Sequence, residues 1–478
     1  MCSENSQLHI FFLPNLAHGH MIPMVEIAKL VASRGVMATI VTTPLNVPLV
    51  SRTISTCTKI NILTIKFPSA EVDLPEGCEF FDSNTPLHMM PRFMKASSLL
   101  QDPLEQLLSA YHPDCFVADA FFTWATTAAA KFNIPRLVFQ GTSFFALCAL
   151  ECIRLYEPQK NVSSDSETFV IPNFPDEIKL TRMQLPVIAR TSQDSEFIAK
   201  LFKVVSDSEE MSFGVLVNSF YELEPAYADH YRKVLGRKAW HIGPVSLYNN
   251  EEKAKRGNES SIAENDCLKW LDSKKPDSVV YVCFGSLTKF NDSQLREIAL
   301  GLEAAGQQFI WVVKKGENNK EEKEEWLPEG FEKRIEGRGL IIRGWAPQVL
   351  ILDHEAVGGF VTHCGWNSTL EGVAAGVSMI TWPGAFEQFY NEKLVTEVLK
   401  IGVSLGDKTC DGPLGVSITS EALEKALNRI MVGDEAMEIR SRVKAFAEKA
   451  RQALKEGGSS YSDLNALIEE LAATSKHK

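Results

Sequence analysis

The feature that most constrains the fold of this chain is a regular alternation between short apolar runs and longer stretches with helical spacing. Runs of strand length recur throughout, namely LHIFFL, VMATIVTT, INILTIKF, CFVAD, RLVFQ, VLVNSF, VVYVCFG, QFIWVV, LIIRGW, GGFVTH and VSMITW. Because most of them are apolar throughout, they are typical of strands that helices cover on both faces. The alternation therefore predicts an α/β fold built from doubly wound parallel sheets.

A polar stretch divides these strands into two groups. Residues 249–266 read NNEEKAKRGNESSIAEND, have no apolar period and predict a linker. We therefore expect an N-terminal domain over residues 1–248 and a C-terminal domain over residues 267–455. Residues 456–478 predict an amphipathic helix that packs back, with the N-terminal domain as the first candidate. The charged residues 314–326 predict a solvated loop.

The charge and the cysteine pattern narrow the possible partners and the compartment. The chain of 478 residues has a formal net charge of −12, which argues against a nucleic-acid partner, since phosphate backbones are bound with an excess of Lys and Arg. A signal peptide is not expected, because the first residues lack a basic region followed by an uninterrupted apolar one. A membrane span is not expected either, because no apolar stretch is long enough. The 10 cysteines include no CxxC pair, which is typical of reduced thiols in a cytoplasmic protein. Nothing indicates a coiled coil or a repeat, so a monomer is expected.

Polar side chains follow several of the predicted strands at the point where each strand ends. His20 follows the first strand, Asp119 ends CFVAD, Ser286 follows VVYVCFG, His363 ends GGFVTH and Glu387 follows VSMITW. Open parallel sheets bind ligands beyond the carboxyl ends of their strands. Two such edges that face each other predict an interdomain cleft, although this architecture alone names no reaction.

The helix that follows GGFVTH has an entrance suited to an anion. Residues 361–372 read VTHCGWNSTLEG, and a helix is predicted to begin at Asn367 and Ser368. The free N–H groups and partial positive charge of a helix start bind phosphate without a basic side chain. An alternative is that Ser368 and Glu371 form a capping box that only stabilises the helix. The adjacent His363 favours the phosphate site, because it can donate to a second phosphate group.

Some nucleotide-binding motifs are missing from the sequence. It contains neither the GxGxxG fingerprint of dinucleotide-binding enzymes nor the GxxxxGK[ST] loop of NTPases. It also contains no Asp-x-Asp pair that would hold a divalent cation on a diphosphate. We therefore expect helix dipoles, hydroxyl groups and histidine to neutralise the anion without a metal ion.

Residues 345–388 closely resemble the signature box of plant secondary-product UDP-glycosyltransferases. They read WAPQVLILDHEAVGGFVTHCGWNSTLEGVAAGVSMITWPGAFEQ. The stretches GHMIP, LVFQGTSFFALC, WHIGPVSL and YVCFGSL extend the resemblance over most of the chain, and the chain is most similar to the branch that acts on flavonoids, triterpenoids and steroids. The resemblance implies two Rossmann-like domains that face a cleft, known as the GT-B type. It also implies inverting transfer of glucose from UDP-glucose to a hydroxyl group, giving a β-O-glucoside.

The resemblance assigns the donor site to residues of the box and one serine before it. They are Trp345 for uracil with Ala346 and Gln348 beside it, Glu371 for ribose, Ser286, His363, Asn367 and Ser368 for the diphosphate, and Trp366, Glu387 and Gln388 for the sugar. An aromatic face at Trp345 suits stacking, although an ordinary core tryptophan is the alternative. Gln388 is the family's signature for glucose, so UDP-glucose is the expected donor.

The acceptor hydroxyl needs a base, because a free alcohol hardly ionises near neutral pH. The resemblance places His20 in that role and Asp119 as the carboxylate that orients the imidazole and stabilises its cation. An alternative for Asp119 is a cap on the helix that follows it. His18 and His20 also form a possible metal-binding pair, but the pair lacks a third ligand.

The acceptor pocket is expected to be apolar and aromatic. Its candidate residues, beside His20, are Phe121, Phe122, Thr142, Phe144 and Phe386. Some of these phenylalanines are equally compatible with the protein core. Two positions depart from the family pattern: Gln140 stands where relatives often carry His, and Phe386 stands where the family commonly has a small residue. Both departures bear on the choice of acceptor.

Three further hypotheses remain beside the leading one. The first is the same chemistry with another UDP-sugar as donor. The second is a nucleotide-sugar epimerase or hydrolase on the same scaffold, and the third is a non-catalytic UDP-sugar binder. The pair of His20 and Asp119 favours an enzyme over a binder, since a sensor has no use for a base. UDP-glucose is expected as a co-substrate, with no separate cofactor.

Overall fold

Two parallel sheets and their covering helices make up most of the protein. The computed structural model describes residues 7–54, 59–82, 85–186, 195–248, 256–314, 326–406, 409–410 and 416–475. The strands are β1 (His9–Leu13), β2 (Met37–Thr42), β3 (Ile60–Thr64), β4 (Cys115–Asp119), β5 (Arg136–Gln140), β6 (Thr168–Val170), β7 (Lys179–Thr181), β8 (Gly214–Val217), β9 (Ala239–His241), β10 (Val279–Cys283), β11 (Gln308–Val313), β12 (Gly339–Arg343), β13 (Val357–Thr362), β14 (Ser378–Thr381), β15 (Gly402–Ser404), β16 (Thr409–Cys410) and β17 (Val416–Ser417).

The α-helices lie mainly between successive strands. They are α1 (His18–Ser33), α2 (Val47–Thr53), α3 (Met90–Ser98), α4 (Gln101–Tyr111), α5 (Ala125–Ala130), α6 (Phe144–Tyr156), α7 (Ser195–Glu210), α8 (Pro225–Asp229), α9 (Glu264–Asp272), α10 (Asp292–Ala304), α11 (Phe331–Arg334), α12 (Gln348–Leu352), α13 (Trp366–Ala375), α14 (Gln388–Lys393), α15 (Ser420–Met431), α16 (Ala436–Ala453) and α17 (Ser459–Ser475). In the parts of the chain given above, no helix combines the length and the apolar character that crossing a membrane requires.

The chain divides into two compact units. The first contains residues 1–144, 197–257 and 452–478, and the second contains residues 145–196 and 258–451. Residues 145–196 were predicted to belong to the N-terminal domain, whereas by contacts they group with residues 258–451. All the predicted domain boundaries stay predictions. Part of the predicted linker, residues 249–255, and most of the predicted loop at 314–326 lie outside the described residues.

The sheet of the first unit has the strand order β3-β2-β1-β4-β5-β8-β9, and all its strands are parallel. The chain runs outward from β1 in one direction and then returns to continue from β4 in the other. The strand order therefore reverses between β1 and β4. In doubly wound folds this switch point opens a crevice at the carboxyl ends of the strands, which is where ligands bind.

The sheet of the second unit repeats this plan with the order β12-β11-β10-β13-β14-β15, again with parallel strands. Its switch point lies between β10 and β13. Two short antiparallel pairs, β6 with β7 and β16 with β17, lie outside the two large sheets. The predicted α/β fold with two doubly wound, Rossmann-like sheets is confirmed.

Each predicted apolar run contains one of the parallel strands. The sequence analysis missed β9 and β15, which are three residues long and lie at the edges of their sheets. So short an edge strand offers too few residues for an apolar run to stand out. The last helix, α17, was predicted from its amphipathic pattern. Its Leu464, Leu467 and Leu471 are buried in the core of the first unit.

Candidate active site

His20 lies in the first turn of α1, directly after the loop that leaves β1. Its Nδ1 is 2.7 Å from Oδ2 of Asp119, the last residue of the neighbouring strand β4. The His20 side chain is 28% exposed, whereas the Asp119 side chain is 0% exposed. The switch point of the first sheet therefore brings together two residues 99 positions apart in the chain.

This hydrogen bond fixes the roles of the two ring nitrogens. An ionised carboxylate only accepts hydrogen bonds, so Nδ1 of His20 carries the proton. The other nitrogen, Nε2, is then the basic one. The second oxygen of Asp119, Oδ1, accepts a hydrogen bond of 3.1 Å from the backbone N–H of Phe121. Both oxygens of the carboxylate are thus held in place.

Asp119 is not a helix cap, so the alternative interpretation is wrong. The helix that follows, α5, begins at Ala125, and Trp124 is its N-cap residue. Asp119 instead begins a tight turn, in which the backbone N–H of Phe122 also donates to the carbonyl of Asp119 at 3.0 Å.

The His20 ring lies between a glycine, Gly141, and an aromatic ring, that of Phe121. A Cβ atom added at Gly141 would lie 3.3 Å from the His20 ring, so the absence of a side chain there lets the ring fit. The ring of Phe121 stands edge-on to His20, with the ring centroids 5.6 Å apart, and Phe121 is 52% exposed. Next along the chain, Oγ1 of the buried Thr142 has no hydrogen-bond partner among the described residues.

The other predicted acceptor residues of this unit lie deeper. Phe122 belongs to the core and packs against Trp124. Phe144 is buried against Tyr231 and His241. Of the three phenylalanines predicted here, Phe121 alone presents its ring at the surface, and contact of the other two with an acceptor stays a prediction.

Gln140 and His18 have structural neighbours of their own. The side-chain amide of Gln140 donates to Oε2 of Glu209 at 2.5 Å. The ring of His18 is buried edge-on against Phe80, with the centroids 4.3 Å apart. Within the described parts of the chain, no group of three or more His, Cys, Asp or Glu side chains is arranged to hold a metal ion.

In the second unit, α13 begins earlier than predicted. Its first residue is Trp366 and its N-cap is Gly365, so Asn367 and Ser368 lie within the first turn. The capping-box interpretation is therefore wrong. The Ser368 hydroxyl instead accepts a hydrogen bond of 3.0 Å from Nε2 of Gln348, which also donates to Oε2 of Glu371 at 2.7 Å. The fold thus brings together three predicted donor-site residues.

His363 follows β13 and is held closely between two glycines. A Cβ atom added at Gly285 would lie 2.4 Å from Cε1 of His363, and one added at Gly365 would lie 2.4 Å from its Nε2. Burial, together with the positive charge of Lys314, lowers the pKa of His363 to about 4 from its ordinary 6.5. The imidazole is therefore neutral near pH 7 and can donate one hydrogen bond to a phosphate oxygen.

The turn between His363 and α13 is strained and held from behind. Cys364 has a φ of +64°, in the left-handed region that residues with a side chain rarely adopt. Its carbonyl accepts a hydrogen bond of 2.9 Å from Nδ2 of the buried Asn391, and its N–H donates to Oγ1 of Thr362 at 3.2 Å. Such strain persists only where surrounding contacts impose it. Here it aims the first turn of α13.

The remaining residues of the box have the following positions. Trp345 is half-buried, and its backbone pairs with Ser261 through N–H···Oγ and O···H–N hydrogen bonds of 2.9 and 2.8 Å. Ala346 and Trp366 are buried, whereas Asn367 and Ser286 are partly exposed. Trp345 lies outside the core cluster of its unit, so the core interpretation is not supported.

Gln388 is the most tightly oriented of the predicted sugar contacts. Its Oε1 accepts hydrogen bonds of 2.9 Å from the backbone N–H groups of Gly384 and Ala385. The amide nitrogen is therefore the group left to donate to a ligand. Phe386, between them, has a φ of +53°, and both Phe386 and Glu387 are partly exposed.

The two switch points thus each hold a histidine: His20 is paired with a carboxylate, and His363 lies beside the start of α13. Residues 97–441 match the model of the family described as UDP-glucoronosyl and UDP-glucosyl transferase. The chain belongs to this glycosyltransferase family.

Relatives of known activity match the glycosyltransferase over nearly its whole length. It is 61% identical to UDP-glucose flavonoid 3-O-glucosyltransferase 7 of Fragaria ananassa, with 97% of this chain and 96% of that protein covered. It is 56% identical to scopoletin glucosyltransferase of Nicotiana tabacum, with 98% and 99% covered. The crystal structure of Glycyrrhiza uralensis UGT73P12 complexed with glycyrrhetinic acid 3-O-monoglucuronide superposes with a TM-score of 0.89 at 41% identity, covering 99% of this chain and 97% of that one.

Some residues that shape the site of this glycosyltransferase carry no signal in a single sequence. Gly285 and Asn391 act on residues 78 and 27 positions away, at His363 and Cys364. Lys314 directly follows β11 and precedes the signature box, although its charge acts on His363. A fourth residue, Arg136, lies beneath the turn that carries Asp119. Their roles depend on which strands become neighbours.

Proposed function

We propose that this enzyme transfers glucose from UDP-glucose to a hydroxyl group of a lipophilic plant small molecule, with inversion, to give a β-O-glucoside. The observation that carries the proposal is the hydrogen bond of 2.7 Å between His20 Nδ1 and Asp119 Oδ2, at the switch point of a sheet. The family to which the chain belongs supports the reaction class.

The first step of the proposed reaction is removal of the acceptor's proton. Nε2 of His20 takes the proton of the hydroxyl group as its oxygen attacks C1 of glucose. The imidazolium that forms is stabilised by the Asp119 carboxylate, which stays ionised. Attack from the side opposite the leaving group inverts the anomeric carbon.

The second requirement is stabilisation of the leaving group. The bond between C1 and the β-phosphate oxygen breaks, and its electron pair leaves with UDP. We propose that the diphosphate lies at the first turn of α13, where backbone N–H groups, Asn367 and Ser368 face it and His363 donates a hydrogen bond. Ser286, after β10, completes this set. A neutral His363 suits the role, because it donates without titrating near pH 7.

The nucleoside and the sugar are proposed to occupy the rest of the signature box. Uracil stacks on Trp345 beside Ala346 and Gln348, and Glu371 accepts from the ribose hydroxyls. Glu387 accepts from glucose hydroxyls, the amide nitrogen of Gln388 donates to them, and Trp366 supports the same end. Thr142, with its buried hydroxyl group, is a further candidate for contact with the sugar.

For the acceptor, we propose a flavonoid as the first candidate. The similarity to the flavonoid and scopoletin enzymes supports this choice, and the lower similarity to the protein that holds glycyrrhetinic acid 3-O-monoglucuronide makes a triterpenoid the second. Exposed Phe121, edge-on to His20, suits a flat aromatic substrate. Phe122, Phe144 and Phe386 remain candidates for the pocket.

We also propose that the enzyme works as a cytoplasmic monomer and without a metal ion. Free thiols, which include Cys78 and Cys267, suit a reducing compartment. The helix start and His363 together provide the neutralisation that a divalent cation would otherwise supply. Full activity in EDTA and a monomeric mass in light scattering are the expected results.

The test is a product assay by liquid chromatography and mass spectrometry. The purified enzyme is incubated with UDP-glucose, UDP-galactose or UDP-glucuronic acid and with a flavonol, scopoletin, a triterpenoid or a steroid. We expect a β-glucoside from UDP-glucose and a phenolic acceptor as the main product. A preference for another UDP-sugar would overturn the donor assignment and keep the transferase.

A reaction without any acceptor separates the other hypotheses. Conversion of UDP-glucose at full rate without an alcohol would indicate an epimerase or a hydrolase. Binding of UDP-glucose with no product from any acceptor would favour a non-catalytic binder. We expect neither result.

A further inference from the structure

Arg136 is a buried cation beneath the turn that carries Asp119. It is the first residue of β5, and its side chain is 3% exposed. Within the described parts of the chain, its hydrogen bonds all go to neutral oxygens. They are Thr126 Oγ1 at 2.7 Å, Ser208 Oγ at 3.0 Å, and the backbone carbonyls of Ala118 at 3.5 Å, Asp119 at 3.1 Å and Phe122 at 3.4 Å.

A buried charge with these partners is costly to keep. Removing an ion from water costs several kcal/mol even after relaxation, as an order of magnitude. Burial accordingly lowers the pKa of Arg136 to about 10, and the negative charges of Asp119 and Glu209 oppose that shift. The side chain is therefore still protonated near pH 7. Since an apolar side chain of the same length would avoid the cost, the charge points to a task of its own.

The hydrogen bonds of Arg136 show what that task is. Nη2 bonds the carbonyls of Asp119 and Phe122, the residues at the two ends of the tight turn. Within the same turn, the N–H of Phe121 donates to Asp119 Oδ1. The other nitrogen, Nη1, bonds Thr126 in α5 and Ser208 in α7, and so ties the turn to both helices. Displacement of this guanidinium would release the backbone that aims Asp119 at His20.

The sign of the charge also matches the chemistry of the dyad. The Arg136 guanidinium and the Asp119 carboxylate attract each other. The carboxylate has to stay charged at the moment when His20 becomes cationic. Glu209 also attracts Arg136, and its Oε1 lies 3.8 Å from Nη1 of Arg237.

We propose that Arg136 is a positioning residue for catalysis, which holds the Asp119 turn in register with His20 and places a positive charge beside it. It touches neither substrate nor reacting atoms and acts through Asp119. The inference rests on the proposed function, because it needs His20 to be the base. It goes beyond that proposal because it adds a residue that supports the dyad from a distance. Arg136 is the first residue of β5, at the end of the strand opposite to the site.

The experiment compares Arg136→Met, Arg136→Lys and a control, Arg237→Met. The Met variant removes the charge and all the hydrogen bonds. The Lys variant keeps the charge but has too few donors to bond both the carbonyls and the two hydroxyl groups. The control removes a second, partly buried arginine, which bonds Ser206 in the same helix α7, with Nη1 to its carbonyl at 3.0 Å.

For each variant we would measure kcat, KM for UDP-glucose, the Kd for UDP and the dependence of kcat on pH. For Arg136→Met we expect kcat to fall by about 10- to 100-fold, because a displaced catalytic group costs about that much. The acidic limb of the pH profile should move up by about half a pH unit or more, since loss of a nearby cation eases protonation of the dyad. UDP binding and KM for UDP-glucose should not change.

The other variants separate position from charge. Arg136→Lys is expected to lose several-fold in kcat and to keep the wild-type acidic limb. Arg237→Met is expected to keep both. If the Met variant does not fold, the Lys variant decides: a wild-type kcat would overturn the inference. A folded Met variant with an unchanged pH profile would also overturn it, because a merely structural arginine would leave the profile in place.

His20→Ala distinguishes failure of this inference from failure of the proposed function. If His20→Ala keeps most of its rate, then the base assignment itself is wrong. If His20→Ala abolishes turnover while Arg136→Met remains fully active, then the base assignment stands and Arg136 has no part in it.

Discussion

The turns at the two switch points occupy the same place in two sheets of the same strand order, but they are held by opposite means. In the first unit, charged groups hold the turn: the Asp119 carboxylate bonds His20, and the Arg136 guanidinium bonds the backbone below. In the second unit, neutral groups hold it: Asn391 bonds the carbonyl of Cys364, and two glycines enclose His363.

In the proposed reaction, the difference follows from what each turn has to do. A base becomes positively charged as it works, so a fixed negative partner lowers the cost of that change. An anion site has to offer hydrogen-bond donors before the anion arrives, and a carboxylate beside them would repel it. The same architecture therefore serves two kinds of chemistry, and the side chains that touch each turn decide which.

The largest expected effect tests the turn of the first unit, which carries Asp119. His20→Ala should lower kcat by about 10²- to 10⁴-fold, because the hydroxyl group loses its base. Steady-state kinetics would measure this loss, and calorimetry with UDP should give an unchanged Kd. Asp119→Asn keeps the shape without the charge and should approach the same loss. A weakened affinity for UDP in either variant would contradict the division of labour between the two turns.

The next effect tests His363, which two glycines enclose in the second unit. Gly285→Ala places a methyl group within 2.4 Å of the His363 ring and should raise the Kd for UDP by about tenfold or more, since tenfold corresponds to only about 1.4 kcal/mol. Its kcat at saturating donor should fall less than that of His20→Ala. Calorimetry with UDP would measure the change.

Gly306→Ala is the matched control for this substitution. Gly306 has a φ of +68° against +70° for Gly285, but an added Cβ would meet nothing within 4 Å. Both variants bear the same backbone strain of about 1 kcal/mol. Equal losses of UDP affinity would show that strain, rather than contact with His363, is responsible.

A smaller effect is expected at Gln388, the proposed contact to the sugar. Gln388→Met removes the amide donor without adding a charge, and it also removes the oxygen that accepts from the N–H groups of Gly384 and Ala385. One lost hydrogen bond to the sugar is worth about 1 kcal/mol, so KM for UDP-glucose should rise about fivefold. The Kd for UDP, which lacks the sugar, should stay the same. A rise in that Kd as well would mean that Gln388 acts on the fold and not on glucose.

The smallest effect is a pH dependence of stability. The pKa of His363 is about 4 in the folded protein against an ordinary 6.5, so the unfolded chain takes up this proton first as the pH falls. His363 thus contributes its full stability above pH 6.5 and loses it progressively down to about pH 4. His363→Gln should reduce the free energy of unfolding that is lost over this pH range by about 1 kcal/mol, after allowance for the partial exposure of the side chain. Urea unfolding at several pH values would measure it, and parallel curves for the two proteins would contradict the neutral state of His363.

Much of the fold and part of the site could be predicted from the sequence. Apolar runs located the strands of both large sheets except β9 and β15, and polar residues at strand ends pointed to His20, Asp119 and His363. Helix starts were less accurate: α13 begins at Trp366 rather than near Asn367, because a glycine cap leaves no side-chain signal. Asp119 was equally compatible with a helix cap until the structure showed that α5 begins at Ala125.

By itself, the sequence determined the local elements, the residues at strand ends and, through residues 345–388, the family. Only the tertiary structure decided which distant residues support these groups, such as Arg136 under Asp119, Gly285 against His363 and Asn391 behind Cys364. The physical reason is that apolar periodicity and turn chemistry depend on a few neighbouring residues, so they are visible in the sequence. A contact across two strands exists only after the sheet has set their order and register.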